Sequence, residues 1–146
     1  MTSRGSQRQG APSQPTNPVP LVTYAREMAE IRMAVIGAGS WGTTVASLAA
    51  ANTPTVLWAR RESVVESINT HHVNPDYIGG VALSPQLRAT ASLSEAVSSA
   101  DVVVMAVPSQ GFRQVLADAK SRIRPWVPVV SLSKGLEAGS MLRMSQ

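Results

Sequence analysis

Gly37, Gly39 and Gly42 stand in the order GxGxxG inside AVIGAGSWGTTVASLAAAN, residues 34–52. That spacing suits work a bare backbone does better than a side chain. Gly37 permits a tight turn, Gly39 clears the place where a pyrophosphate would approach the main chain, and Gly42 lets a helix pack closely on a strand. Phosphates held there would meet free N–H groups and the positive end of a helix dipole. The competing reading is a glycine turn kept for packing alone; a strand before the motif and a helix after it favour the dinucleotide. Ser40 and Trp41 fill the tip of the turn. The serine brings a hydroxyl within reach of a phosphate, and the indole either walls a groove or covers apolar surface.

A site of this kind usually carries Asp or Glu after the second strand when it selects NAD. Here Arg60 and Arg61 stand there, followed by Glu62. Two guanidinium groups attract the 2′-phosphate of NADP, with Glu62 as a partial neutraliser; the alternative is ordinary solvated surface. Pro108, Ser109 and Gln110 leave a later strand and border the same groove, with Ser109 also readable as a helix cap. Lys134 leaves the last strand beside Gly135, where an ammonium meets a nicotinamide, a substrate phosphate or only water. His71 and His72 are neighbours in a loop with no further ligand near them, so no metal site is expected. No Ser-His-Asp arrangement and no acid–base pair is evident. With no cysteine in the chain, disulfides, thiolate metal sites and a thiol nucleophile are excluded.

Strands alternating with helical patterns from Ile31 onward must position these residues, which predicts a doubly wound parallel α/β sheet of the Rossmann type. The strands are MAVIG, TVLWA, a short LRAT, a fully buried DVVVMAVP and VPVVSLSKG. The first helix is expected to turn Val45, Leu48 and Ala49 to the core and to stop at Asn52 and Thr53-Pro54. Val64, Val65 and Ile68 mark the second helix, and residues 70–86 a long loop. Ser92 and Glu95 form a capping box for a helix with Leu93, Ala96 and Val97. Phe112, Val115, Leu116, Ala119 and Ile123 line one face of the next helix. In the usual strand order, 3-2-1-4-5-6, this sequence supplies the first five strands and leaves VPVVSL as an open edge. EAGSMLRMSQ reads as the beginning of another helix.

The chain has 146 residues, 44% of them apolar. One domain fits that length and a two-domain enzyme does not. Residues 1–29 are expected to be a disordered tail, either a plain extension or the product of an upstream start codon, since Met28 and Met33 follow. Its Arg and Ser content faintly suggests a transit peptide, which its prolines oppose. Residues 30–146 are then a partial dinucleotide-binding domain. The net charge is +4, but Arg4, Arg8 and Arg26 all precede the first acidic residue, Glu27. The remainder is nearly balanced, so nucleic acid is discounted. The run VVVMAV is far shorter than the ~20 residues that cross a bilayer. No membrane insertion is expected, and the cytoplasm is the expected compartment.

Taken together, VIGAGSWGTTVA, VLWARR, NPDYIGGVALSPQLRATASLSEAV, ADVVVMAVPSQ and VVSLSKGLE resemble the bacterial type of NAD(P)-dependent glycerol-3-phosphate dehydrogenase, over about residues 31–146. The resemblance implies that Ser40, Trp41, Arg60 with Arg61, Tyr77 and Lys134 contact NADPH. It also implies that Lys134 meets the substrate pair, glycerol 3-phosphate and dihydroxyacetone phosphate. NADP is favoured over NAD. Gly79 departs from the family, which usually has a proline there, and implies a less rigid loop. The same resemblance places the catalytic lysine, the proton acceptor, in a helical substrate domain beyond this chain, with any homodimer a property of the complete protein. Two other readings stay open: another Rossmann-type hydroxyacid dehydrogenase, and a dinucleotide-binding module without catalysis.

Overall fold

The computed structural model describes residues 30–146; the expectations for residues 1–29 lie outside the described residues. Five parallel strands form one sheet: β1 (Met33–Ile36), β2 (Thr55–Trp58), β3 (Arg88–Thr90), β4 (Val102–Met105) and β5 (Val129–Ser131), ordered β3-β2-β1-β4-β5. The helices between them are α1 (Ser40–Ala50), α2 (Glu62–His71), α3 (Leu93–Ser98) and α4 (Ser109–Ala119). The expected order is therefore the observed one. Parallel strands need long crossovers, and helices supply them on both sheet faces.

Strand β1 shows how the layers form. It pairs with β2 from Met33 opposite Thr55 and with β4 from Met33 opposite Val102. Ala34, Val35 and Ile36 are all fully buried. Alternate residues face opposite ways. Ala34 and Ile36 join Ala96, Val97, Phe112 and Ala119 of α3 and α4, whereas Val35 joins Ala46, Ala50, Val64 and Ile68 of α1 and α2. A strand buried on both faces has to read as a continuous apolar run, as this one does.

The core face of α1 differs from expectation. Gly42, Thr43, Ala46 and Ala50 are buried, Val45 and Ala49 are half-buried, and Leu48 is 67% exposed. A Cβ on Gly42 would lie 1.9 Å from the Gly37 carbonyl oxygen. The helix therefore comes so close to the preceding turn that only the small residues of the 42, 46, 50 row fit beneath it. Hydrophobicity alone pointed to the larger side chains one step round.

Smaller departures have similar local causes. Helix α2 runs on to His71, and His72 caps it in the left-handed region at φ 54°, so the histidines end a helix and do not open the loop, while His71 is exposed as expected. The N-cap of α4 is Pro108, with no side-chain cap, and Ser109 is the first helical residue and buried; it is not the cap. Ser92 does accept from the Glu95 N–H at 3.2 Å. The return half of the box is relayed, since Thr90 Oγ1 accepts from the Ser92 N–H and donates to Glu95 at 2.6 Å. Residues 136–146 form no helix. Gly139 at φ 89° and Met141 at φ 58° turn the chain, a bridge joins Leu136 to Arg143, and the Arg113 guanidinium grips Glu137 with two bonds at 2.6 and 2.8 Å.

The two sheet edges are finished differently. Beyond β3, the Asn69 side chain accepts from the Ala89 N–H at 2.8 Å and donates to the Ala89 carbonyl at 2.9 Å. At the other side every residue of β5 is exposed.

Candidate functional site

The C-terminal ends of β1, β2, β4 and β5 open into a groove of about 850 Å³, at the place where the strand order reverses and open α/β sheets take their ligands. Its floor is the glycine turn. Gly37 lies at φ 114°, and a Cβ there would sit 2.8 Å from the Ala106 carbonyl oxygen; its N–H donates to the Trp58 carbonyl at 3.1 Å. Around a Cβ on Gly39, by contrast, nothing lies within 4 Å. Gly39 is also the N-cap of α1 and brings no side chain to the first-turn N–H groups. The three glycines thus do three things: one turns, one leaves an open cradle at a helix N-terminus, and one admits the helix to the turn. An open cradle with uncapped N–H donors fits a pyrophosphate.

All the residues singled out around the turn meet here. Ser40, Trp41, Arg60, Arg61, Tyr77 and Lys134 line the groove together with Gly37, Gly39 and Gly42. Trp41 is 60% exposed, so its ring covers little apolar surface. The Ser40 hydroxyl donates to the Tyr77 carbonyl at 3.0 Å, which ties the long loop to the turn. Arg60 is exposed and, among the described residues, makes no ion pair or hydrogen bond. Arg61 is engaged: its Nη2 lies 2.6 Å from Asp76 Oδ2, and its guanidinium lies 5.8 Å from the centre of the Tyr77 ring. Asp76, not Glu62, is the carboxylate that neutralises this corner.

On the far wall, Leu132 donates its N–H to the Met105 carbonyl at 2.9 Å, and the Ser133 hydroxyl donates to the Val107 carbonyl. These bonds fix the exit of β5, and Gly135 at φ 94° turns the chain immediately after Lys134. Pro108 and Gly111 border the groove. Ser109 and Gln110, expected there, are not among the lining residues: Ser109 is buried in the first turn of α4 and Gln110 is exposed.

Three cationic side chains and no carboxylate line this groove. Two helices, α1 and α4, begin at it with no acidic residue in their first turns. The charge pattern suits an extended anion, and Trp58, Val107, Val115 and Leu132 give apolar walls for flat rings. A second cavity of about 660 Å³ lies between α4 and residues 137–146, but its arginines are already taken, Arg113 by Glu137 and Arg143 by Gln146. Among the described residues there is no cluster of three potential metal ligands and no helix long and apolar enough to cross a membrane.

Sequence reasoning missed what holds the loop in place. Asn74, fully buried, donates its amide to the Ala38 carbonyl at 3.0 Å and to Thr43 Oγ1 at 2.8 Å. Its backbone carbonyl accepts from the Ile78 N–H at 2.8 Å, closing a tight turn over residues 74–78. The Asn-Pro pair at 74–75 signals a turn; nothing local signals partners 31 and 36 residues earlier.

The model of a family described as the N-terminus of NAD-dependent glycerol-3-phosphate dehydrogenase matches residues 32–146. A glycerol-3-phosphate dehydrogenase [NAD(P)+] of Mycobacterium avium is 54% identical over 123 residues, which are 84% of this chain and 36% of that protein. Among solved structures, glycerol-3-phosphate dehydrogenase from Saccharomyces cerevisiae superposes with a TM-score of 0.70 at 28% identity, over 77% of this chain and 36% of the other. The enzyme from Coxiella burnetii gives 0.69 at 28%, over 76% and 34%. The chain spans about a third of the length of each of these proteins.

Proposed function

The chain belongs to the family of the NAD-dependent glycerol-3-phosphate dehydrogenase N-terminus, and from that premise we propose that it is the dinucleotide-binding portion of an enzyme interconverting dihydroxyacetone phosphate and sn-glycerol 3-phosphate. The observation that carries the reading is the open cradle at Gly39 inside a groove lined by three cations and no carboxylate. When bound, the dinucleotide supplies the hydride for C2 of the ketone or accepts it from the alcohol.

This chain's residues bind and orient. The first turn of α1 and Gly39 take the pyrophosphate, Arg60 takes a 2′-phosphate so that NADP is preferred over NAD, and Trp41 and Tyr77 wall the groove. Lys134, held at the β5 exit, faces both the nicotinamide end and the substrate phosphate, where an ammonium stabilises negative charge. Proton transfer falls to the rest of the longer enzyme, which acts in the cytoplasm in glycerophospholipid synthesis; any homodimer of the active enzyme is formed by that complete protein. The stretch described here then binds cofactor without turnover, and no nucleic acid partner is involved.

Titration of the chain with NADPH and NADH, followed by tryptophan fluorescence, tests this. Saturable quenching that Trp41→Phe diminishes is expected, together with reduction of dihydroxyacetone phosphate by a complete homologous enzyme and its loss in Lys134→Met. Absence of binding by either dinucleotide at millimolar concentration overturns it.

A further inference from the structure

We infer that Asp76 is a specificity-determining residue whose carboxylate competes with the dinucleotide 2′-phosphate for Arg61, leaving Arg60 as the cation that reads that phosphate. The inference rests on the dinucleotide reading above and goes beyond it by assigning opposite effects to two neighbouring side chains.

Asp76 is not a loosely hung acid. It sits in the 74–78 turn, whose anchor, Asn74, is fully buried and bonded to Ala38 and Thr43. The next residue, Tyr77, is held through its carbonyl by the Ser40 hydroxyl. The backbone on both sides of Asp76 is therefore tied to the glycine turn, and the carboxylate is presented to Arg61 at 2.6 Å. Arg61 is held from a second side by the Tyr77 ring at 5.8 Å. Glu62, the other acid in this corner, makes no ion pair with either arginine among the described residues.

A dianionic phosphate drawn to Arg61 would have to share that guanidinium with Asp76, which already occupies it. The two side chains are 52% and 41% exposed, so solvent screens the pair and the competition is graded, not absolute. A ribose hydroxyl, being neutral, feels little of it. The consequence is a groove that accepts both NADPH and NADH despite carrying two adjacent arginines.

The experiment compares Asp76→Asn with the unaltered chain by equilibrium binding of NADPH and NADH at low and at high salt. Removal of the charge tightens NADPH binding about fivefold, the scale of a partly exposed ion pair. NADH changes less than twofold, and the gain shrinks at high salt. In Asp76→Asn combined with Arg61→Gln the gain disappears, because Asp76 acts through that arginine. Equal shifts for both dinucleotides, or a gain that survives Arg61→Gln, overturn the inference while leaving the dinucleotide reading intact. Failure of the unaltered chain to bind either dinucleotide overturns both.

Discussion

Gly39 and Gly42 are three residues apart in one motif, yet the structure gives them opposite tolerance. A Cβ on Gly42 meets backbone at 1.9 Å, and one on Gly39 meets nothing. Gly42→Ala should cost about 3 kcal/mol through overpacking, visible as a lower denaturant midpoint. Gly39→Ala, at an ordinary φ of −69°, should leave the midpoint unchanged and weaken both dinucleotides at least about tenfold, because the methyl fills the cradle. A midpoint loss at Gly39 would mean that the turn, not the ligand, needs that glycine. Arg60→Gln should weaken NADPH about tenfold, the lower end of a charge-assisted hydrogen bond, and NADH less than twofold; parallel losses would make Arg60 a general structural residue. That the glycines, arginines and Lys134 border one groove was legible in the sequence, because each stands next to a strand end, a local property. The contact of Asp76 with Arg61 was not, since only the folded loop creates it.

At the scale of elements, the long loop behaves as a strap and its buckle is Asn74. Asn74→Ala removes both donors and strands the Ala38 carbonyl, so a loss of about 2 kcal/mol is expected. Amide exchange should accelerate first across residues 74–84; uniform acceleration through the sheet instead would mean the loop does not open separately. A second local device is the turn after β5. The Arg113 guanidinium, with help from the Ser140 hydroxyl, holds the Glu137 carboxyl down to about 2 from 4.5. A lowered carboxylate value stabilises the fold above the ordinary value, and the contribution fades as pH falls from 4.5 towards 2. Carboxyl chemical shifts should give a Glu137 midpoint near 2 that Arg113→Gln raises part of the way towards 4.5, since the Ser140 hydroxyl remains; a midpoint that ignores Arg113 would break the assignment. Strands and their order were readable from apolar runs separated by helical patterns. The core face of α1 was not, because closeness to the Gly37 carbonyl selects small residues over greasy ones there. The turn over 136–146 was equally hidden, since its cause is an arginine on α4.

For the molecule as a whole, the sheet ends unlike on its two sides. Asn69 satisfies both backbone groups of Ala89 outside β3, and exposed Arg88 adds charge there. On β5, Val129 and Val130 are 42% and 44% exposed and no charge interrupts the strand. A sheet that could grow from both margins would stack without limit. Among the described residues one margin is closed by a side-chain amide and the other is open, so edge-to-edge joining of this stretch consumes the open margin of each copy and closes as a two-fold pair. Association of this stretch in solution should therefore plateau at twice the monomer mass. Sedimentation should show that plateau for the unaltered sequence, monomers for Val130→Lys, and larger species only in Asn69→Ala, where the amide terminator is gone; open-ended polymers of the unaltered sequence would contradict it. Within this stretch a single primary amide thus leaves the sheet monovalent.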